Sequence, residues 1–405
     1  MSDIARMPWN GFNAVSTFSG CGGSSLGYKM AGFKVLWASE FIEEAQKTYE
    51  ENHPLTILDK RDIREVQPRD ILDATGMEVG QIDLFDGSPP CASFSTAGIR
   101  EEGWGRVKKY SDSEQRTDDL FFEFARLVKG VQPKVFVAEN VKGLTVGVAK
   151  TMLGDFQEDM FKSETFKDKE GHEERKFDQT ILDALFDAGY VVAFDVLNAA
   201  KLGVPQSRQR TIFIGVRKDL AKQFNLNPRT GYPPALNYFY TVRDAIPWIQ
   251  KVYDGKTSTF DAGEQPAGTI LASDGARSTS GFDQGLGYVE AETNIEKYCT
   301  GKEWDNLKVG EQSKKYFSEV KVDPDGPCPT ICASHGSGGI ASVVHPYEKR
   351  KFSIAELKRI CGFPDDFKLT GTFAQQWERL GRAVPPIMMM RIANRVRSEL
   401  LRKMR

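Results

Sequence analysis

Between residues 13 and 216 the chain alternates short apolar runs with longer stretches whose apolar positions recur at helical spacing. The runs at 13–18, 34–39, 82–85, 134–138, 191–196 and 210–216 have strand length and read as β-strands. Between them, Thr117-Asp118-Asp119-Leu120-Phe121-Phe122-Glu123-Phe124-Ala125-Arg126-Leu127-Val128 opens on a capping residue and keeps its apolar positions on one helical face. Strands alternating with helices predict a parallel sheet covered on both faces. Past Arg217 the rhythm changes: the stretch to about residue 344 is rich in Gly, Ser, Thr and Pro and reads as a second, smaller domain of loops and short strands. It holds a weak echo, Pro266-Ala267-Gly268-Thr269-Ile270 and Pro327-Cys328-Pro329-Thr330-Ile331, too few copies for a repeat array. Helical pattern returns at 353–361 and from 386 to the end.

Open α/β sheets bind ligands at the carboxyl ends of their strands, and the chemistry-bearing residues of this chain fall at such ends. The first strand runs into Phe18-Ser19-Gly20-Cys21-Gly22-Gly23, whose glycines permit a sharp turn and close ligand approach. The second ends at Glu40, spaced to bind the two hydroxyls of a ribose, and Asp62-Ile63 follows the third, where an acid meets an adenine amino group. The run matches no G-x-G-x-x-G pattern and no Walker lysine follows it, which favours a nucleoside without phosphate, such as S-adenosylmethionine, over nicotinamide or ATP. A further strand leads into Gly87-Ser88-Pro89-Pro90-Cys91, where two prolines hold a candidate nucleophilic thiol. Ala138-Glu139-Asn140-Val141 brings a carboxylate to the same edge. Gln206-Ser207-Arg208-Gln209-Arg210 places two arginines on one side of an extended chain.

Composition narrows this picture modestly. With 405 residues, 40% hydrophobic and 27% charged, the chain has room for two or three domains. A formal charge of -2 decides nothing about nucleic acid, but 201–218 carries five basic residues and no acid, and 391–405 is also basic. Six scattered cysteines, an N-terminus without a signal-like apolar run and no membrane-length segment are expected of a reduced, cytoplasmic protein in a bacterial or phage-infected cell. The polar stretch 98–116, with Gly98, Gly103 and Gly105, is placed to act as a lid after the cysteine loop, and 162–175 reads as a solvated insertion. Cys328, Cys332, His335 and His345 fit no common zinc-finger spacing, so no metal site is expected. A cysteine hydrolase is disfavoured because none of the four histidines has a motif context.

Phe18-Ser19-Gly20-Cys21-Gly22-Gly23, Pro89-Pro90-Cys91, Glu139-Asn140-Val141 and Gln206-Ser207-Arg208-Gln209-Arg210 together resemble the ordered motifs of DNA cytosine-5 methyltransferases. The resemblance continues through Arg350-Lys351-Phe352, Gly362-Phe363-Pro364-Asp365 and Gly381-Arg382-Ala383-Val384-Pro385. It implies an α/β fold of the S-adenosylmethionine methyltransferase (Rossmann-like) type, a mixed sheet with helices on both faces plus a smaller target-recognition domain. The implied domains are 1–217 for catalysis and cofactor binding, 218–345 for target recognition, and 346–405 returning to the catalytic domain with a C-terminal helix beside the first strand. It further implies a monomer acting on a specific sequence in double-stranded DNA, with no membrane partner. Cys91, Glu139, Arg208 and Arg210 are the implied catalytic residues. Phe18, Gly20, Gly22, Gly23, Leu26, Glu40, Phe41, Asp62, Ile63, Pro89, Leu120, Arg382 and Ala383 are implied for the cofactor, and Pro90, Asn140 and Gln206 for substrate.

The residue chemistry fits that reading. Cytosine C5 is a weak nucleophile; thiolate addition at C6 makes an enamine whose C5 attacks a sulfonium carbon. Cys91 then calls for a positive neighbour such as Arg208, and Glu139 for a water-excluded pocket in which it holds a proton at N3. The base must first be flipped from the duplex. A non-catalytic DNA-binding protein of the same fold would lack the cysteine or the glutamate, and both are present.

Three positions depart from the family pattern: Ala92 replaces the usual glutamine, Arg382 the usual asparagine, and His335 stands where neutral or aromatic residues are common. Ala92 opens volume and Arg382 adds a fork suited to a carboxylate. These three form an expected pocket for a larger, anionic transferred group, with carboxy-S-adenosylmethionine as donor and 5-carboxymethylcytosine as product. The opposing reading is drift, with Arg382 pairing elsewhere.

Overall fold

The computed structural model describes residues 7–90, 108–110, 113–115, 120–141, 166–167, 173–174, 177–249, 289–337 and 339–405. Cys91, Ala92 and the echo at 266–273 lie outside the described residues. So do most of 98–116 and 162–175.

The chain divides into two compact units. The larger joins the N-terminal part through Asn198 with Gln209–Ala235 and Met388–Arg405; the smaller joins Ala199–Arg208 with Leu236–Ile387. This differs from the expected 1–217, 218–345 and 346–405. Residues 346–387 group with the smaller unit because their helices Ile354–Ile360 and Phe373–Arg382 pack on each other and the latter packs on the turn Ala333–His335. Only from Met388 does the C-terminal helix belong to the larger one.

The larger unit is built on seven strands: β1 Asn13–Thr17, β2 Lys34–Ser39, β3 Ile57–Asp59, β4 Leu84–Gly87, β5 Val135–Val141, β6 Tyr190–Asn198 and β7 Gln209–Arg217. Their spatial order is β6-β7-β5-β4-β1-β2-β3. From β5 to β3 all neighbours are parallel, while β7 runs antiparallel to both β5 and β6. The sheet is therefore mixed, as the resemblance implies, and not all-parallel as strand–helix alternation alone predicts. Reversal arises because β6 and β7 form a hairpin-like pair with no crossover helix between them.

Helices cover both faces. On one, Ile71 and Leu72 of α3 (Pro68–Thr75), Phe121, Phe124 and Val128 of α4 (Leu120–Val131), and Ile181 and Leu185 of α5 (Phe177–Asp187) bury Val15, Trp37, Phe85, Phe136 and Phe213. Edge-to-face ring pairs knit this layer, Phe124 lying 5.7 Å from both Phe85 and Phe136. Strand alternation sends the next residues to the opposite face. There α1 (Gly23–Met30) reaches Asp86 through Tyr28. The C-terminal helix (Pro386–Glu399) and the residues after it bring Val396 and Leu400 to Ile214, all three converging on Gly231. That segment also ties to the approach to β1: Arg397 donates to Ala31 O at 3.0 Å and Arg405 lies 3.9 Å over the Phe12 ring. Among the described residues no helix is long and apolar enough to cross a membrane.

The smaller unit holds α6 (Cys299–Asn306), the paired strands β8 (Val320–Lys321) and β9 (Val343–Val344), α7 (Ile354–Ile360) and α8 (Phe373–Arg382). Both α7 and α8 start with a reciprocal capping box, Ser353 with Glu356 and Thr372 with Gln375. Residues 330–332 are a non-regular run entering the turn Ala333–His335, with Ile331 O and Cys332 O accepting from the side chains of Arg208 and Trp377.

Candidate active site

In the larger unit the glycine turn leaves β1 under visible backbone constraint. Phe18 (φ 53), Gly20 (φ 56) and Gly22 (φ 93) all occupy the left-handed region, which a non-glycine residue adopts at a cost. Glu40 at the end of β2 pins this turn: its Oε2 accepts from Gly20 N at 2.7 Å and its Oε1 from Ile42 N at 2.8 Å. The Glu40 and Phe41 carbonyls accept from Gln46 on α2 (Glu43–Asn52). A Cβ at Gly20 would meet nothing within 4 Å, so that side of the turn faces open space. A Cβ at Gly22 would fall 2.2 Å from His53 Nε2, so only glycine fits.

His53, read over in the sequence, clamps the turn from below. It is buried, its Nε2 lies 3.2 Å from Gly22 O and its Nδ1 2.9 Å from Lys29 Nζ. An ammonium only donates, so Nδ1 accepts and Nε2 carries the proton offered to Gly22. Burial first, and the Lys29 charge second, keep His53 well below its ordinary pKa and thus neutral. Burial lowers Lys29 to about 8. Of the other expected cofactor residues, Leu26 is buried on α1, Ile63 and Leu120 lie in the core layer, and Phe41 is exposed. Asp62 is held by Arg64, whose Nη1 approaches Oδ2 to 3.0 Å.

The chemical end lies on β4, β5 and β7. Gly87, the last residue of β4, has no room for a side chain: a Cβ there would meet Phe124 at 2.5 Å and Thr17 Oγ1 at 2.6 Å. The chain then turns through Ser88, buried Pro89 and half-buried Pro90 toward position 91. Asn140 fixes this exit, donating from Nδ2 to Pro89 O at 3.1 Å while its Oδ1 accepts from Val141 N. One residue earlier on β5, Glu139 Oε1 meets Arg210 Nε at 2.7 Å. The β5–β7 register pairs Val141 with Arg210 and Glu139 with Ile212, which places both side chains on one face of the sheet.

Arg208 groups with the smaller unit, where its buried guanidinium donates to Ile331 O (3.3 Å) and Gly381 O (2.8 Å), and the thiol it is expected to neighbour lies outside the described residues. The two arginines part because the ladder begins only at Gln209; at Gln206 the chain bridges to Cys328. Gln206, also in the smaller unit, donates to Cys361 Sγ at 3.4 Å. Burial, tempered by Arg208 and Gln206, raises Cys361 to about 11, and burial with Cys361 nearby holds Cys328 well above its usual value, so both are protonated thiols.

Within the smaller unit the end of α8 meets the turn Ala333–His335. A Cβ at Gly381 would sit 2.6 Å from Ala333 Cα, and Trp377 Nε1 donates to Cys332 O at 3.0 Å. His335 is lowered by burial and by Lys351, whose ammonium donates to the carbonyls of His335 and Ser337. Arg382 pairs with Glu378 one turn back, at 2.8 Å from Nε and 2.7 Å from Nη2, and Ala383 N closes the helix on Arg379 O.

Asp86 is a second residue that sequence reasoning passed over. It is buried on β4, accepts from Ser16 Oγ (2.8 Å) and Tyr28 OH (2.9 Å), and is raised to about 7 by burial, with the charge of Glu139 adding to the shift. The signal was an acid inside an otherwise apolar strand, a position that demands partners.

The sequence profile described as C-5 cytosine-specific DNA methylase matches residues 12–398. Among curated proteins, the chain is 28% identical to type II methyltransferase M.DdeI of Desulfomicrobium norvegicum, covering 95% of this chain and 88% of that one. It is 26% identical to type II methyltransferase M.NgoPII of Neisseria gonorrhoeae, over 99% and 100%. Among solved structures, Spodoptera frugiperda DNMT2 superposes with a TM-score of 0.57 at 16% identity, covering 97% of this chain and 99% of that one. A prophage-encoded E.coli protein described as a DNA modification methyltransferase gives 0.65 at 22%, over 96% and 99%. These likenesses extend over the whole fold.

Proposed function

Because the chain belongs to the C-5 cytosine-specific DNA methylase family, we propose that it methylates C5 of a cytosine flipped out of double-stranded DNA, with Cys91 as nucleophile. The observation that carries this reading is the Glu139–Arg210 pair at the end of β5, next to Asn140, which holds the chain two residues before Cys91. Cys91 thiolate adds to C6. Glu139, oriented by Arg210, holds a proton at N3 and so stabilises the electron-rich adduct. C5 is thereby made nucleophilic; with the donor bound it would take the methyl carbon as the S–C bond breaks to leave a neutral thioether, and loss of the C5 proton to water with expulsion of Cys91 thiolate then restores the ring.

The residues present fit S-adenosylmethionine: an acid at the end of β2, a constrained glycine turn and open space over Gly20. Phe18, Gly20, Gly22, Gly23, Glu40, Phe41, Asp62 and Ile63 would hold it. When bound it supplies an electrophilic methyl carbon on a sulfonium. The smaller unit, with the residues after 217, is proposed to read the DNA target. The relatives named as type II methyltransferases support a role in DNA modification of the restriction-linked kind.

A second reading, transfer of a carboxymethyl group from carboxy-S-adenosylmethionine, is favoured by one observation: Gly381 packs on Ala333, so the Arg382 end of α8 adjoins the His335 turn. Against it, Glu378 already neutralises Arg382, and a donor carboxylate must displace that acid. The test supplies each donor separately with plasmid DNA and weighs the nucleosides. We expect 5-methylcytosine from the ordinary donor and none with Cys91→Ser. Absence of any C5-modified cytosine overturns the proposal, and 5-carboxymethylcytosine lost in Arg382→Asn establishes the second reading.

A further inference from the structure

The smaller unit carries a tip at residues 313–318, between α6 and β8. Ser313 builds it. Its Oγ donates to Glu303 Oε1 at 2.6 Å and accepts from the N–H groups of Lys315 (3.0 Å) and Tyr316 (2.9 Å). Ser313 N donates to Glu319 O, Glu319 N donates to Tyr316 O, and Gln312 Nε2 donates to Phe317 O. The backbone is thus closed on itself, yet the Phe317 ring at its apex is 83% exposed. Lys314 and Lys315 beside it are exposed as well, while Glu319 is fully buried, so the tip offers solvent two cations and no acid.

Single exposed apolar side chains are common and need no explanation. This one differs because hydrogen bonds fix the backbone that presents it and because two exposed lysines, Lys314 and Lys315, stand within three residues of it on the same tip. Holding an apolar ring in water contributes nothing to folding, whereas a preorganised aromatic lowers the entropy cost of binding. Two cations call for a polyanion, and an exposed ring beside them calls for a flat apolar partner. Duplex DNA offers both, as phosphates and as base faces or base steps.

We propose that this tip is a DNA contact, with Lys314 and Lys315 on backbone phosphates and Phe317 packed against a base or wedged into a base step. The inference rests on the DNA reading above and names which residues of the smaller unit meet the duplex.

The experiment uses the full chain and a short, fluorescein-labelled random-sequence duplex, followed by anisotropy over a salt series. Phe317→Ala is expected to weaken binding roughly ten-fold, the scale of one lost base–aromatic stack. Phe317→Trp should keep the affinity and show emission quenched by the duplex, relative to the parent protein. Lys314→Ala with Lys315→Ala should flatten the slope of log K against log salt by about 0.9 for each phosphate contact removed. S-adenosylmethionine binding, measured in parallel, should be unchanged in all three. Unaltered affinity and slope in the variants, with the parent protein binding the duplex, overturn the tip. If the parent neither binds the duplex nor modifies plasmid DNA, the DNA reading itself falls.

Discussion

Two buried arginine–carboxylate pairs, one in each unit, serve opposite ends. In the smaller unit Arg350 grips Glu356 through two nitrogens at 2.8 and 2.9 Å, and Glu356 also accepts from Ser353 N at 2.7 Å. Burial pushes Glu356 up, but the bonds and charge of Arg350 outweigh it and hold the carboxylate below its ordinary pKa. Every strong partner it needs is protein, and it lies inside the capping box that starts α7. In the larger unit Glu139 meets Arg210 through Nε at 2.7 Å, at a strand end beside the exit toward Cys91. The first pair is saturated and fixes a helix start. The second is arranged at an edge where ligands of such sheets bind. Burial and ion pairing are common to both; saturation and place in the fold separate them.

The sharpest way to break the comparison is to neutralise each carboxylate at constant volume. Glu139→Gln should lower turnover on plasmid DNA by about 10²- to 10⁴-fold, the range for loss of a positioned proton donor, and leave the melting temperature nearly unchanged. Glu356→Gln should act the other way. It leaves buried Arg350 with only the half-exposed Glu348 as counter-charge, at up to about 3–5 kcal/mol, read by denaturant unfolding, with activity recovered in whatever fraction stays folded. If both variants lose stability equally, the distinction between the pairs is wrong.

Gly22→Ala tests the cofactor turn against the same frame. A methyl group at φ 93 that runs into His53 should cost about 1–3 kcal/mol of local strain. Calorimetry should then show weaker S-adenosylmethionine binding while duplex binding is kept. Asp86 is tested through a pH dependence alone. Its folded pKa of about 7 lies above the ordinary carboxylate value, so the folded state holds the proton more tightly than the unfolded one. Its contribution is fully present below about pH 4 and is lost as pH rises toward 7. Stability of the parent protein should fall across that window, and Asp86→Asn should flatten the fall. A profile identical in both proteins would exclude Asp86 as the titrating group.

What could be read from the sequence depended on the range of the interactions. The second strand, 34–39, coincides with β2 because its alternation is a local property. The run expected at 82–85 corresponds to β4 at Leu84–Gly87: toward β1, Asp83 N donates to the Asn13 side chain and the Asp83 carboxylate accepts from Asn13 N, so side chains take the place of a ladder bond there, while Asp83 O still accepts from Val135 N. Glu139 was recognisable as a strand-end acid. Arg208 and Arg210 fall in different units because 206–210 is not one continuous strand: Gln206 bridges to Cys328 and the ladder begins at Gln209. His53 and Asp86 escaped notice for a related reason: each acquires its role from neighbours more than twenty residues away, Gly22 in one case and Ser16 with Tyr28 in the other.

The division of the chain has a consequence for how the protein is made. The larger unit contains the first strand and also Met388–Arg405, whose Val396 and Leu400 cover Ile214. A ribosome delivers those residues after all seven strands of the sheet. Throughout synthesis the sheet face around Ile214 therefore waits uncovered, a state open to chaperones and to aggregation. Until Met388–Arg405 has emerged, the sheet that begins at β1 lacks part of its cover, so removing this segment should damage a domain whose strands lie far upstream in the chain.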